Sequence, residues 1–325
     1  MDVLSEVLHA VKLEGAVFFH GEFSAPWGFI SPAANVVAPY IGKTSKHVVI
    51  FHLLIDGSAE AYIEDGPRLQ LTGGDIVVFP HGHEHRIKNG RPAQMVDNAT
   101  ILGEVFAAAN LKPVKVGGGG PVTHFVCGYM ACEKDLSSML LGGLPPIFKV
   151  NIRNDGGGRW LEDSIQFSAN GTGLLPGGSV VMAKLSEVLF VETLRRYMAE
   201  LPPEQTGWLA GARDPEVGGA LALLHREPSA PWTIADLAHK VGVSRSVLAD
   251  RFRRFLGEPP MSYLGRWRLR LGAQILQSSS RSVAQVASEV GYESEAAFNR
   301  AFKREFGVPP ARYRVELKAA ARAAG

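Results

Sequence analysis

Two short stretches carry side chains whose types and spacing suit the edges of base pairs. In the first, Arg245, Ser246, Ala249 and Asp250 recur at i, i+1, i+4 and i+5, which is one face of a helix. In the second, Glu295, Ala296, Asn299 and Arg300 repeat that spacing. The Arg300 fork matches the two major-groove acceptors of guanine, and the Asn299 amide matches adenine. Asp250 leaves two readings open: it accepts from a cytosine amine, or the first stretch reads its bases weakly. Arg245, Arg251, Lys303 and Arg304 suit phosphate, which sets orientation without reading sequence.

The flanking residues supply the elements that must hold these faces. Ser282 caps a first helix with Val283, Val286, Ala287 and Val290 at helical spacing. Gly291 ends it, Ser294 caps the next, and Gly307 with Pro309-Pro310 stops that one. About 50 residues earlier the same plan occurs, which marks an internal repeat. Thr233 caps a helix bearing Ile234, Leu237, Ala238 and Val241. Gly242 turns, and Ser244 caps a helix bearing Val247, Leu248, Phe252 and Phe255. The units end alike, FRRFLGEPPMSYL against FKREFGVPPARYR. Between them, Ser262 to Gln277 reads as one helix, with Leu264, Trp267, Leu271, Ile275 and Leu276 inward and Arg266, Arg268 and Arg270 outward. A rigid helix there would set two reading heads roughly 34 Å apart, one DNA turn.

Over about residues 214–316 these motifs resemble the AraC-type transcription regulators, through the Gly291-Tyr292 pair, Pro309-Pro310 and Tyr313. The resemblance implies a module of seven helices with two recognition helices in successive major grooves. It also implies RNA polymerase as a partner and activation of transcription rather than repression.

The charge distribution agrees. The net charge is +2, yet from Trp232 onward 16 Lys and Arg face 8 Asp and Glu, while residues 1–231 hold 18 against 24. A basic C-terminal third suits a polyanion; the acidic remainder should avoid it. At 46% hydrophobic and 20% charged residues the chain reads as ordinary and globular. No stretch reaches the ~20 apolar residues of a membrane span, and no signal peptide is legible, so a cytoplasmic location is expected.

Residues 15–126 change texture. Short β-rich runs alternate with Gly, Pro and Asp turns, predicting a sandwich or barrel. Within them Gly74, Pro80, Gly82, His85 and Asn89 follow the spacing G-x5-P-x-G-x2-H-x3-N, similar to the second motif of the cupins. The first cupin motif is degraded: in place of two His one residue apart there are His47, His52 and then Glu60. Residues 4–200 as a whole resemble the cupin-type sensor domain fused to one branch of the AraC-type regulators. Some relatives in that branch respond to oxidants through a cysteine just before a Pro-Trp pair; here Ser24 precedes Pro26-Trp27.

The expected fold is therefore α+β: an N-terminal cupin-like β-barrel with a helical dimerisation segment, then an all-α module with two helix-turn-helix units. The expected boundaries are 1–200 for the sensor, 201–213 for a linker, 214–316 for the DNA-binding domain and 317–325 for a tail. Helices are expected at 1–14, 135–144 and 158–169, and at 179–200, where relatives pair subunits into a homodimer.

Three readings of the barrel stay open. His52, His83, His85 and Cys127 could hold zinc or another transition metal. Trp27, His52 and His85 could instead line a pocket for a small-molecule effector. Or the histidines are ordinary barrel residues. Function follows suit: a DNA-binding regulator that is not an enzyme, a metal cupin enzyme fused to a DNA module, or a thiol-based redox regulator using Cys127 and Cys132. Residues five apart on a strand lie about 17 Å apart, so that last bridge would need the chain to fold back at Gly128.

Overall fold

The computed structural model describes residues 3–11, 13–39, 47–92, 94–97, 114–170 and 177–323. The last two residues of the expected tail lie outside them. In chain order the elements are α1 (Val3–Val11), β1 (Glu14–Ser24), β2 (Trp27–Ser31), α2 (Ala34–Val37), β3 (His47–Asp56), β4 (Ser58–Tyr62), β5 (Arg68–Thr72), β6 (Asp75–Phe79), β7 (His85–Asn89), β8 (Val96–Asp97), β9 (Val114–Gly117) and β10 (Val122–Cys132). Then follow α3 (Lys134–Leu141), β11 (Phe148–Asn151), α4 (Gly156–Asn170), α5 (Gly178–Glu200), α6 (Trp208–Arg213), α7 (Pro215–Arg226), α8 (Ile234–Lys240), α9 (Arg245–Leu256), α10 (Pro260–Ser278), α11 (Val283–Glu289), α12 (Glu295–Phe306) and α13 (Pro310–Ala323). They divide into two compact units, Leu13–Cys132 with Leu144–Glu200, and Met1–Lys12 with Glu133–Gly143 and Leu201–Gly325.

The β-rich unit has two sheets, one in the order β11-β6-β3-β10-β1-β9 and one in the order β5-β4-β7-β2-β8. Their inner faces share one core that includes Phe23, Trp27, Phe29, Ile50, Leu54, Phe79, Ile87, Phe125 and Cys127. This is the two-layer β architecture that the alternating short runs require. Strand β3 is buried along nearly its whole length, and α5 packs on β1, β10 and β11 of the same sheet. Gly15 shows how close α5 comes: a Cβ there would lie 2.9 Å from the Ser186 side chain and 3.1 Å from the Ala183 carbonyl oxygen.

The helical unit includes more than its C-terminal sequence. Helix α1 packs on α7, and α3 packs on α10. Within 201–213 the chain forms α6, whose Trp208, Leu209, Ala210 and Gly211 are buried. Trp208 Nε1 donates to the Tyr263 hydroxyl, which also bonds His225 Nε2. His225 stacks on Trp267 at 4.1 Å. Local signals in the sequence set the helix ends. Thr233–Asp236 and Ser282–Gln285 form capping boxes, Ser244 and Ser294 cap α9 and α12, and Gly257 and Gly307 close those two helices in the left-handed conformation. The turns within each helix-turn-helix need positive φ at Gly242 (76°) and Gly291 (85°), a region glycine enters freely.

Candidate nucleic-acid interface and barrel site

Helices α9 and α12 bury one face and expose the same opposite one. Leu248 and Phe252 of α9, like Phe298 and Phe302 of α12, are fully buried. Phe298 and Phe302 join Leu269, Leu276, Val286 and Val290 in the core of the second unit. The other side of each helix is left to solvent. Arg245, Ser246 and Asp250 are exposed on α9, with Ala249 half-buried between them. On α12, Glu295, Ala296, Arg300, Lys303 and Arg304 are exposed and Asn299 is half-buried. Asn299 Nδ2 lies 3.5 Å from Glu295 Oε1, a long contact that a base edge can replace.

Three neighbours change what individual residues can do. The Arg251 guanidinium donates to Asp214 and Glu216 at the start of α7, at 2.6 Å each, so it fastens α9 to α7. Asp250 pairs with Arg253 at 3.3 Å, which leaves its carboxylate less available to a cytosine amine. Arg253 and Arg254 are exposed at the positions of α9 that match Lys303 and Arg304 of α12. The repeat itself contained that signal: aligned on their capping serines, Arg251 falls opposite Ala301, and Arg253 opposite Lys303. The outward reading of the α10 arginines also gives way. Arg268 donates to the Pro228 and Ala230 carbonyl oxygens, and Arg266 pairs with Glu258. Polar heads on half-buried stems of this kind staple a fold.

In the β-rich unit His52, His85 and Cys127 come together, and all three are fully buried. Cys127 and His52 face each other across the β10–β3 ladder. His85 enters from the opposite sheet. Cys127 Sγ is 2.6 Å from His52 Nδ1, His52 Nε2 is 2.7 Å from His85 Nε2, and His85 Nδ1 is 2.8 Å from the His83 carbonyl oxygen. Burial holds His85 down at about 3, holds His52 well below 6.5, and pushes the Cys127 thiol up, so all three are neutral. The carbonyl oxygen can only accept, so His85 Nδ1 carries the hydrogen and its Nε2 is bare. His52 Nε2 then donates to His85, and His52 Nδ1 accepts from the Cys127 S–H. The result is a one-way relay of neutral groups, each of them satisfied.

That relay does not fit the metal set. The two nitrogens of the His52 ring point apart, so Cys127 and His85 lie on opposite sides of it and cannot meet at one ion. His83 is exposed and contributes only its backbone oxygen. Among the described residues no group of three or more His, Cys, Asp or Glu side chains is arranged to hold a metal ion. Trp27 lies inside the aromatic core, 5.2 Å from both Phe23 and Phe125. Its Nε1 is buried and has no hydrogen-bond partner among the described residues. Cys127 and Cys132 are both buried and form no disulfide with each other, and the Cys132 thiol donates to the His47 carbonyl oxygen.

Among the described residues no helix is long and apolar enough to cross a membrane. The family models that match are a cupin domain over residues 2–199 and a helix-turn-helix domain over residues 237–316. The chain is 30% identical to the HTH-type transcriptional regulator AlkR of Acinetobacter baylyi, over 97% of this chain and 99% of that protein. It is 30% identical to the HTH-type transcriptional regulator MtrA of Neisseria gonorrhoeae, with the same coverage, 97% and 99%. It is 24% identical to the RCS-specific HTH-type transcriptional activator RclR of Escherichia coli, over 98% and 99%. Among solved structures it is similar to the DNA-binding domain of AdpA in complex with a target DNA, at 29% identity and a TM-score of 0.32, over 33% of this chain and 96% of that one. With a cupin domain in front of two repeated helix-turn-helix units, the chain belongs to the AraC-type transcriptional regulators and is a DNA-binding transcription regulator.

Proposed function

We propose that this regulator is a cytoplasmic, effector-controlled activator that works as a homodimer and recruits RNA polymerase, with the β-rich unit as a sensor rather than an enzyme. The observation that carries the homodimer is an apolar surface on two neighbouring helices. Trp160 (63% exposed) and Phe167 (70% exposed) stand two turns apart on α4, and Val181 and Val188 do so on α5. Large exposed apolar groups at helical spacing mark a surface meant to be covered. A second copy suits it, because a two-fold axis sets the same apolar patch against itself. The non-enzymatic reading draws on the Cys127–His52–His85 relay, which spends its donors and acceptors internally. The unpartnered Trp27 Nε1 favours an effector that is mostly apolar and bears one hydrogen-bond acceptor.

Sedimentation of the full chain at micromolar concentration tests the dimer. The wild type should run as a dimer, and Phe167→Glu should run as a monomer with an unchanged thermal midpoint. An unchanged mass for Phe167→Glu would remove this surface from the proposal. Transcription from a bound promoter with purified RNA polymerase tests activation, and repression there would reverse the sign.

A further inference from the structure

The helix between the two reading heads carries Arg266 and Arg270 one turn apart. Each reaches toward a different recognition helix. Arg266 pairs with Glu258, which directly follows the Gly257 cap of α9. Arg270 lies 3.7 Å from Glu305 on α12, and its other terminal nitrogen donates to Ser138 Oγ on α3. From the end of α9, along α10, to α12 the charges run minus, plus, plus, minus, so two guanidinium groups lie between two carboxylates. They are also sheltered: Glu258 is 19% exposed and Arg270 17%. Burial pushes the Glu258 carboxyl up, and the Glu305 charge adds to that, while Arg266 and Arg270 pull it back. Glu258 and Glu305 are therefore near enough to repel one another, and Arg266 and Arg270 offset that repulsion.

We infer that Glu258, Arg266, Arg270 and Glu305 form an ionic bridge that fixes the offset between α9 and α12, and so makes the spacing of the two DNA subsites part of what is recognised. The inference rests on both helices reading DNA. Subsites one turn apart sit about 34 Å apart, so one inserted base pair moves the second by roughly 3.4 Å and rotates it by about 35°. Helices joined only by apolar contacts can roll against each other. A guanidinium held between a carboxylate and a hydroxyl has a planar fork and a fixed geometry, which resists that roll. Arg266 and Arg270 act here as positioning residues with no base or phosphate of their own. Ser138 holds the terminal nitrogen of Arg270 that does not face Glu305, so α3, which starts two residues after β10 ends, takes part in the same setting.

The test uses the full chain and a duplex it selects from a random library, with both subsites mapped by footprinting. One base pair is then inserted or deleted between them. Wild type should lose at least tenfold in affinity on either change. Arg270→Met should bind the native duplex within a few-fold of wild type, yet lose less than threefold on insertion. The exchange of Arg270→Glu with Glu305→Arg should restore the spacing penalty. Should Arg270→Met fold poorly, Glu305→Gln, which changes one partly exposed group, gives the same measurement. A variant with an unchanged thermal midpoint and the full tenfold penalty would overturn the bridge, as would a charge exchange that folds and fails to restore it. A wild-type footprint covering one subsite alone would refute reading by two helices, and the bridge with it.

Discussion

Lowering the pH from 7.5 to 5 should unfasten the helical unit through one histidine. His225 is buried between Trp267 and Tyr263, and burial holds its pKa down at about 3 against an ordinary 6.5. A depressed histidine contributes stability that is complete above pH 6.5 and is lost as the pH falls from 6.5 toward 3. At pH 5 the unfolded imidazole is protonated and the folded one is not, over 1.5 pH units at about 1.4 kcal/mol each. The loss is therefore about 2 kcal/mol, a substantial part of the 5–15 kcal/mol typical of a domain. With a urea dependence of roughly 1–3 kcal/mol per molar, the midpoint should fall by about 1 M. The assay is urea unfolding of the full chain at both pH values, followed by circular dichroism, which the helices dominate. His225→Phe keeps a ring against Trp267 and gives up the Tyr263 hydrogen bond. It should be less stable at pH 7.5 and lose about 2 kcal/mol less than wild type on acidification. Equal losses in the two proteins would refute the reasoning. His85, also held at about 3, and His52, held well below 6.5, should add an acid loss of the same sign in the β-rich unit.

Other outcomes follow from the same geometry. Arg300→Ala should cost about 1–3 kcal/mol and relax specificity at one base of a selected site, read by binding to single-base variants. Lys303→Ala should weaken all sequences alike and lower the salt slope by about one unit, and an unchanged slope would remove it from phosphate contact. Gly291→Ala should destabilise by more than Gly242→Ala in thermal melts. Both force alanine to positive φ at about 1–2 kcal/mol, but only the Cβ at 291 meets backbone, Ser229 Cα at 2.7 Å, while nothing lies within 4 Å at 242. Cys127→Ala should cost about 1–3 kcal/mol by leaving His52 Nδ1 without its donor, and Cys127→Ser should recover most of that by supplying a hydroxyl. Equal stability of the two cysteine variants would mean that the Cys127–His52 hydrogen bond contributes nothing to the fold.

The helical module was legible in the sequence because its determinants are local. Capping residues, turn glycines, the proline stops and the 3.6-residue spacing of apolar groups act over a few positions. Ser244, Gly257, Ser294 and Gly307 accordingly end their helices where they were expected to. The same spacing told the exposed face of α12 from the buried one. What those residues touch across the fold was not legible. Arg251 meets Asp214 and Glu216 from an earlier helix, Arg270 meets Ser138 from a segment far back in the chain, and no local rule pairs them. The barrel histidines divide in the same way. Spacing singled out His52 and His85, and strand register brought Cys127 opposite His52. Only the facing of the two sheets placed His85 on the far nitrogen of the His52 ring, turning a set of metal-type ligands into a closed hydrogen-bond relay. In the two helix-turn-helix units the sequence by itself determined which segments become helices and which face α9 and α12 bury, since short-range torsional and hydrophobic preferences decide both, whereas the helix within 201–213 depends on burial of Trp208 and Leu209. The tertiary structure decided which polar groups are already spent on one another, since that depends on distances between residues remote in the chain.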